Sequence, residues 1–268
     1  MNKRKPRRVD AAPRPASGPT LSSPHQRTPG PPWLYGVHAV LAALANPRRR
    51  SHRLLLTSEA RLSVASKLSA LGGPAPEIVD RQTLDRILPA GVVHQGIALA
   101  ADPLPETDLA GLLRTTGERA AVIVLDQVTD PHNVGAVLRS AAAFGASAVV
   151  LPERHAPAAT GVLAKAASGA LELVPLIHVV NLARAMEALK RGGFWCIGFE
   201  ENAKERLDRT DFSGRVALVL GAEGTGLRRL TRDGCDLMVR LPTRPELASL
   251  NVSNAAAVAL YEYARGRD

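Results

Sequence analysis

The amino-acid sequence predicts an α/β fold with a C-terminal domain on a parallel sheet, a small N-terminal α/β domain and a basic tail. From about Leu109, continuous apolar stretches alternate with helical patterns, which is typical of parallel sheets covered by helices on both faces. A shorter alternation occupies residues 33–101. Residues 102–108 contain two prolines and three acids and separate the two parts. Residues 1–32 are rich in Pro, Ser and Arg.

The tail holds most of the net charge of this 268-residue chain. Of the formal charge of +9, +6 falls in residues 1–32 and +3 in the remainder. Segments with so little apolar surface cannot offset the entropy of ordering, so we expect the tail to be disordered. Two interpretations stay open: a solubilising extension, or a segment that contacts RNA phosphates without reading sequence.

Composition also limits the class of protein. No apolar stretch approaches the roughly 20 residues of a membrane helix, and the first residues lack the apolar core of a secretion signal. The two cysteines, Cys196 and Cys235, show no metal-ligand spacing, so we expect buried, reduced thiols and no metal. These features predict a cytoplasmic protein. Aromatic residues make up only 3% of the chain, which argues against many base-stacking platforms.

The N-terminal domain is predicted at residues 33–101. Its apolar periodicity and its turn residues predict three helices and three strands. The predicted helices are 37–44, 59–71 and 81–88, and the predicted strands are 53–57, 77–79 and 94–100.

Residues 102–118 are interpreted as a linker and the start of the next domain, which is predicted at 119–268. Its short apolar stretches predict six strands, and helical patterns lie between most of them. The predicted strands are 121–125, 148–151, 173–177, 194–199, 216–220 and 236–241.

The first of three motifs follows strand 121–125. Asp130 and Pro131 form a strong helix start, with Asp as the cap and Pro at the first position. Asn133 then lies in the first turn. Gly135 leaves one helix face open to another backbone or a ligand, and Arg139 is an isolated charge on a helix of small and apolar residues. A solvated surface charge is the alternative for Arg139.

The second motif is a glycine-rich turn, Leu220 to Gly226, that follows a buried strand. Its spacing fits neither a phosphate loop nor a dinucleotide-binding turn. Glycine lets the backbone approach a ligand closely. Glu223 would repel a phosphate, but it can accept hydrogen bonds from a hydroxyl, an amine or a cation. The alternative is a carboxylate that caps the helix beginning at about Leu227.

The third motif is Ser249-Leu-Asn-Val-Ser253, at the start of the last predicted helix. Either Ser249 or Asn251 can cap that helix. Capping needs only one of them, so the additional polar residues favour contact with a ligand. All three motifs turn from strand into helix, and in open α/β sheets such turns form the ligand-binding edge.

Taken together and in this order, the three motifs resemble the signature motifs of the SpoU/TrmH-type RNA ribose 2′-O-methyltransferases, which belong to the trefoil-knotted SPOUT class. Two N-terminal segments, Tyr35-Gly-Val-His-Ala-Val40 and His94-Gln-Gly-Ile97, resemble the borders of the small L30e-like substrate-binding domain in the branch that methylates a guanosine ribose of 23S rRNA. The resemblance covers residues 33–268.

The resemblance implies a knotted parallel-sheet SPOUT domain, a homodimer with the C-terminal helix in its interface, 23S rRNA as substrate and S-adenosylmethionine as cofactor. It implies that the reaction involves Asn133, Arg139, Glu223, Ser249 and Asn251. It places the cofactor near Leu220, Gly221, Glu223, Gly224, Leu241, Leu250 and Asn251.

The family assigns Arg139 to activation of the ribose 2′-hydroxyl, yet arginine is effectively always protonated in proteins. We therefore expect its guanidinium to donate to the hydroxyl and stabilise the developing oxyanion, while a substrate phosphate or water accepts the proton. Three alternatives remain: a tRNA ribose methyltransferase, a non-catalytic RNA-binding factor, and a dinucleotide-dependent oxidoreductase, which the glycine spacing disfavours.

Overall fold

The computed structural model describes residues 31–154, 156–157, 161–244, 246 and 250–265. In these ranges the strands are β1 (Trp33–Tyr35), β2 (Ser51–Leu56), β3 (Pro76–Ile78), β4 (Ile97–Ala101), β5 (Ala120–Asp126), β6 (Ala148–Pro152), β7 (Leu176–Val179), β8 (Phe194–Phe199), β9 (Glu205–Arg206), β10 (Arg215–Gly221) and β11 (Leu237–Arg240). The helices are α1 (Val37–Ala45), α2 (Ser58–Leu68), α3 (Arg81–Ile87), α4 (Leu109–Thr115), α5 (Pro131–Phe144), α6 (Gly161–Ala166), α7 (Leu182–Arg191), α8 (Arg229–Asp233) and α9 (Val252–Arg265).

A four-stranded sheet in the order β1-β4-β2-β3 forms the N-terminal part. β4 runs antiparallel to both of its neighbours, and β2 and β3 are parallel. The strand predicted at 94–100 begins only at Ile97. Its first residues instead form a turn in which Gln95 and Gly96 take φ values of 56° and 73°, outside the strand region of φ/ψ space.

The C-terminal part is a seven-stranded sheet in the order β7-β6-β5-β10-β8-β11-β9, and its strand pairs are all parallel. The central strands β5 and β10 are apolar on both faces because helices cover both sides of the sheet. The chain runs outward from β5 to β7, crosses to β8, and then inserts β10 between β5 and β8. The carboxyl ends of all seven strands therefore lie at one edge of the sheet. The direction in which successive strands are added to the sheet changes between β5 and β10. A ligand crevice is expected at such a point.

The strand predicted at 173–177 is wrong in its first half. Residues Ala170–Glu172 form a 3-10 turn, and the strand runs from Leu176 to Val179. Pro175 lies between the two elements and has no N–H for a sheet ladder. Leu173 is 73% exposed whereas Val174 is buried, so the first two residues of the predicted strand do not form a continuously buried stretch. β9 was not predicted, because two residues carry no periodicity.

The two sheets belong to one compact unit within residues 31–268. Gly161 at the start of α6 packs against the ring of Tyr35, where any Cβ would overlap the ring. Arg49 and Glu172, each with a side chain 4% exposed, form an ion pair of 2.5 Å between the N-terminal part and the turn before β7. The predicted boundaries at 32, 101 and 118 stay predictions. The tail predicted to be disordered is residues 1–32, of which 1–30 lie outside the described residues.

Among the helices that the structure describes, none is long and apolar enough to cross a membrane.

Candidate active site

The first motif forms the start of α5 as the sequence predicts. The Asp130 carboxylate accepts a hydrogen bond of 2.9 Å from the backbone N–H of His132, and Pro131 is the first helical residue. This cap fixes Asn133 in the first turn. Gly135 is buried, and a Cβ there would lie 2.8 Å from the backbone nitrogen of Ala167. The open helix face predicted at Gly135 is thus occupied by another backbone and not by a ligand site.

The second motif folds back on itself directly after β10. The N–H of Gly226 donates to the carbonyl of Ala222 at 2.9 Å, and any Cβ on Gly221 would overlap the Gly226 backbone. Gly226 has φ 65°, a conformation that glycine adopts without strain. The loop presents Glu223 at the surface. The helix-cap interpretation of Glu223 is wrong, since α8 begins after Arg228 without a side-chain cap.

The third motif begins α9. The Asn251 Oδ1 accepts hydrogen bonds from the backbone N–H of Ser253 at 2.9 Å and from its hydroxyl at 2.5 Å. Asn251 is therefore the capping residue. The sequence alone left the choice between Ser249 and Asn251 open. Ser249, the other candidate and a predicted site residue, lies outside the described residues.

The three motifs meet in one polar cluster formed by Asn133, Glu223 and Asn251. Asn251 Nδ2 donates to Glu223 Oε1 at 2.5 Å and to Asn133 Oδ1 at 3.0 Å, and Asn133 Nδ2 donates to Glu223 Oε1 at 3.2 Å. Residues that are 90 and 118 positions apart in sequence thus share one hydrogen-bonded arrangement. One oxygen of the Glu223 carboxylate accepts both amides.

A cavity of about 410 Å³ adjoins this cluster at the carboxyl ends of β8, β10 and β11. Six of the seven predicted cofactor-binding residues line it: Leu220, Gly221, Glu223, Gly224, Leu241 and Leu250. The seventh, Asn251, contacts the Glu223 carboxylate at the edge of the cavity.

The chemistry of this cavity suits S-adenosylmethionine. Its lining includes the partly exposed residues Leu227, Leu241 and Leu250, which provide apolar surface for an adenine ring. The closely packed peptide groups of the second motif supply donors and acceptors. Glu223 places a carboxylate at the cavity, where it favours a cation and can accept hydrogen bonds from hydroxyls, whereas Glu200 is balanced by Arg232, which also lines the cavity. The volume lies within the range of small-molecule sites.

Phe199 at the end of β8, and Glu200 and Asn202 after it, also line the cavity, and the sequence analysis missed them. Glu200 forms an ion pair with Arg232 of α8. The signal was present in the sequence, since a buried strand ends at Phe199 and polar residues follow at once. The same pattern identified the three motifs.

A buried carboxylate, Asp126, joins the first two motifs and was also missed. It is fully buried at the end of β5. It accepts hydrogen bonds from the backbone N–H of Arg228 at 2.9 Å and from its guanidinium Nε at 2.7 Å. The Arg228 side chain is 49% exposed. This pair anchors the end of the glycine-rich loop to the strand beside it.

Arg139 does not join the polar cluster of its own chain in the described structure. It follows Asn133 by six residues in α5, which places it roughly 9 Å further along the helix and on a different face. It is exposed and lines a separate cavity with Asn46, Gly169 and Glu172.

The prediction of two buried thiols is confirmed for Cys196, whereas Cys235 is only partly buried. Burial, with a smaller contribution from the negative charge of Asp236, raises the pKa of Cys196 to about 12, and burial likewise raises the pKa of Cys235 to about 12. Within the described ranges, no group of three or more His, Cys, Asp or Glu side chains is placed to hold a metal ion.

Comparison with known proteins gives two family matches. Residues 120–261 match the model of the SpoU rRNA Methylase family, and residues 33–107 match that of the RNA 2′-O ribose methyltransferase substrate-binding domain. A 23S rRNA (guanosine-2′-O-)-methyltransferase RlmB from Pseudomonas putida is 40% identical over 240 residues, which span 87% of this chain and 96% of that protein. Its counterpart from Pasteurella multocida is 42% identical over 242 residues, 87% of this chain and 98% of that protein.

Solved structures agree with these matches. The SpoU methyltransferase AviRb from Streptomyces viridochromogenes, in complex with AdoMet, superimposes with a TM-score of 0.73 at 26% identity, covering 88% of this chain and 89% of the other. An AdoMet-bound rRNA methyltransferase from Sinorhizobium meliloti shares the fold, with a TM-score of 0.70 at 22% identity and 88% of both chains covered. The family match over more than half of the sequence and the close relatives show that this chain belongs to the SpoU rRNA methylase family.

Proposed function

We propose that this protein transfers a methyl group from S-adenosylmethionine to the ribose 2′-hydroxyl of a guanosine in 23S rRNA. The observation that supports it best is the meeting of Asn133, Glu223 and Asn251 at a cavity suited to that cofactor. The relatives named as 23S rRNA guanosine-2′-O-methyltransferases align over nearly their full length. Methylation of ribosomal RNA is consistent with a cytoplasmic location of the protein.

The cavity residues hold the cofactor in this proposal. When bound, S-adenosylmethionine supplies an electrophilic methyl carbon on a positively charged sulfur. The peptide groups of Gly221 and Gly224 and the apolar side chains of Leu220, Leu241 and Leu250 hold and orient it. The Glu223 carboxylate favours its positive charge. Alignment of the reactants is the main contribution of the protein to the rate of methyl transfer.

The polar cluster fixes the geometry of the site. Glu223 would be free to move at the surface without its two amide partners. Asn251 holds it at 2.5 Å and is itself held by Ser253. Asn133 is fixed by the helix cap at Asp130. A chain of short polar contacts therefore keeps the carboxylate beside the cavity. Ser249, which lies outside the described residues, stays a proposed site residue on the basis of the sequence.

Arg139 is proposed to act on the site of a second subunit. It lies on the outer surface of α5, which packs against α9. On the adjoining surface of α9, Val258 is 39% and Tyr261 52% exposed, and the Tyr261 ring packs edge-on against Phe144 at 6.1 Å. Exposed apolar groups on paired helices favour a homodimer through α5 and α9. Such a dimer buries Arg139 between subunits, where its guanidinium donates to the ribose hydroxyl.

The trefoil knot is also a proposal. β10 is inserted between β5 and β8, and the chain then reaches β11 before α9 returns to pack on α5 and β10. The Asn251 contact to Glu223 places the returning segment against the glycine-rich loop. A chain end threaded past that loop would produce these contacts.

Ribose-methylation mapping of 23S rRNA tests the proposal directly. Protein-free 23S rRNA is incubated with the full chain and methyl-labelled S-adenosylmethionine, and a single 2′-O-methylguanosine is expected. Labelling of tRNA instead would favour the tRNA alternative, and cofactor binding without any transfer would favour a non-catalytic RNA-binding factor.

Arg139→Ala tests the assigned donor. Loss of one oxyanion donor costs about 3–4 kcal/mol, or about 10²–10³-fold in the rate of transfer. Cofactor affinity should stay unchanged, because Arg139 does not line that cavity. Arg191→Ala removes an exposed arginine at the end of α7 and is the matched control. Near-normal transfer by the Arg139 variant would rule out its role.

A further inference from the structure

A second cavity opens at the same edge of the parallel sheet, on the other side of the glycine-rich loop. It has a volume of about 610 Å³. Its lining includes Gln127 and Thr129 after β5, Arg154 after β6, and Val180 and Asn181 after β7. Arg228 to Thr231 form the wall it shares with the loop. We call this cavity the β5–β7 cleft.

The topology explains why there are two cavities. All seven strands are parallel, so all seven carboxyl ends face one edge. The loop that follows β10 crosses this edge near its middle. The ends of β8, β10 and β11 form the proposed cofactor cavity, and the ends of β5, β6 and β7 form the β5–β7 cleft. Leu227 lines the first cavity and Arg228 the second, so one short segment separates them.

The charges of the β5–β7 cleft are positive. Among the residues that the structure describes, the ionisable side chains that line it are Arg154, Arg228 and Arg229. The charge of Arg228 is balanced by the buried Asp126. Arg229 has only an exposed ion pair with Asp233 at 3.4 Å, which is weak in water. Arg154 forms no ion pair with any described residue, so two guanidinium groups provide an unbalanced positive charge.

Apolar surface accompanies these charges. Val180 is 87% exposed and Leu230 is 61% exposed, and both line the cleft. Aliphatic side chains beside arginines can contact the faces of nucleobases, while the guanidinium groups bind phosphates bidentately. A polyanion with apolar rings matches both features, whereas an acidic peptide matches only the charge.

We propose that the β5–β7 cleft binds a single-stranded segment of the RNA substrate next to the methylated ribose, with Arg154 and Arg229 on its phosphates. This inference rests on the proposed function for the identity of the ligand. The cleft lies beside the cofactor cavity and shares a wall with it, so RNA seated there brings a neighbouring ribose to the polar cluster of Asn133, Glu223 and Asn251. The C-terminal domain would then position the RNA chain beside the cofactor cavity.

The test compares the double variant Arg154→Ala/Arg229→Ala with wild type and with Arg191→Ala. Arg191 ends α7 at the opposite edge of the sheet, so its removal changes the net charge without changing the cleft. The probe is a fluorescent single-stranded RNA of about 20 nucleotides from 23S rRNA, a length that exceeds common single-strand site sizes. Its Kd is measured from about 0.05 M to 0.5 M salt.

Each phosphate contact to single-stranded RNA contributes about 0.7 to the slope of log K against log salt, so the double variant should lower the slope by about 1.4. At about 0.15 M salt this corresponds to roughly fifteenfold weaker binding. Calorimetry should show unchanged S-adenosylmethionine affinity, which demonstrates that the variant is folded.

An unchanged slope in the double variant, or an equal loss in Arg191→Ala, would overturn the proposal. Methyl transfer by wild-type protein is scored separately. If wild type methylates rRNA while the double variant binds RNA normally, the β5–β7 cleft is wrong and the proposed function stands. If wild type transfers no methyl group while the double variant loses RNA affinity, the cleft stands and the proposed function fails.

Discussion

Replacing Arg228 with alanine should leave the fully buried carboxylate of Asp126 without its counter-ion. The substitution removes the guanidinium contact of 2.7 Å but keeps the backbone N–H contact of 2.9 Å. Removing one partner of a buried ion pair costs about 3–5 kcal/mol. Water reaches the Arg228 side chain, which is 49% exposed, and one hydrogen bond remains, so we expect a loss at the lower end, about 3 kcal/mol.

Urea unfolding of the variant measures this loss, and Arg229→Ala provides the adjacent control. Arg229 is 81% exposed and its pair with Asp233 is a surface contact, so its removal should change the free energy of unfolding by less than about 1 kcal/mol. Arg228→Ala should also weaken S-adenosylmethionine binding, because the anchored loop lines the cofactor cavity. The reasoning fails if Arg228→Ala and Arg229→Ala lower the free energy of unfolding equally, or if Arg228→Ala lowers it by less than about 0.5 kcal/mol. Either result would mean that Asp126 is not an unpaired charge in the Arg228→Ala variant.

Three further predictions follow from packing and charge. Arg49→Ala should destabilise the protein by about 3 kcal/mol in urea unfolding, because the buried Glu172 carboxylate loses its counter-ion and keeps only the Asn46 amide at 2.7 Å; a loss typical of surface pairs would contradict this. Gly221→Ala should weaken S-adenosylmethionine binding about tenfold or more in calorimetry, because its Cβ overlaps Gly226, whereas Gly117→Ala, with open space around it, should bind normally. Both cysteine thiols have a pKa raised to about 12, so at about pH 8 they are protonated in the folded state and should be alkylated about 10³-fold more slowly than a free thiol. Alkylation should become faster as the pH rises towards 12 or when the protein unfolds. Rapid labelling of native protein at about pH 8 would contradict the raised pKa.

Local patterns in the sequence were enough for much of the fold. The caps and periodicity of α5, which begins at Pro131, lie in neighbouring residues, so the helix start was predictable. The buried parallel strands were predictable because both of their faces are apolar. The first half of the strand predicted at 173–177 was wrong because Pro175 interrupts the apolar stretch, and before it Val174 is buried whereas Leu173 is 73% exposed.

The candidate site was predictable as a set of residues but not as a geometry. The rule that parallel strands end at one edge places Asn133, Glu223 and Asn251 near one another, and their contacts have that arrangement. The position of Arg139, outside this cluster in its own chain, was not predictable. A helix face is fixed by periodicity, but what lies opposite that face depends on elements that are distant in sequence.

The sequence by itself determined the α/β class, the family and the three motifs, because each is written in contiguous residues. Only the tertiary structure decided that β10 lies between β5 and β8, that Asp126 anchors Arg228, and that one loop divides the sheet edge into two cavities. The physical reason is that strand order and buried ion pairs join segments about 100 residues apart. The energies of strand pairs and ion pairs depend on which surfaces the folded chain brings together. A local sequence pattern contains no information on those long-range contacts.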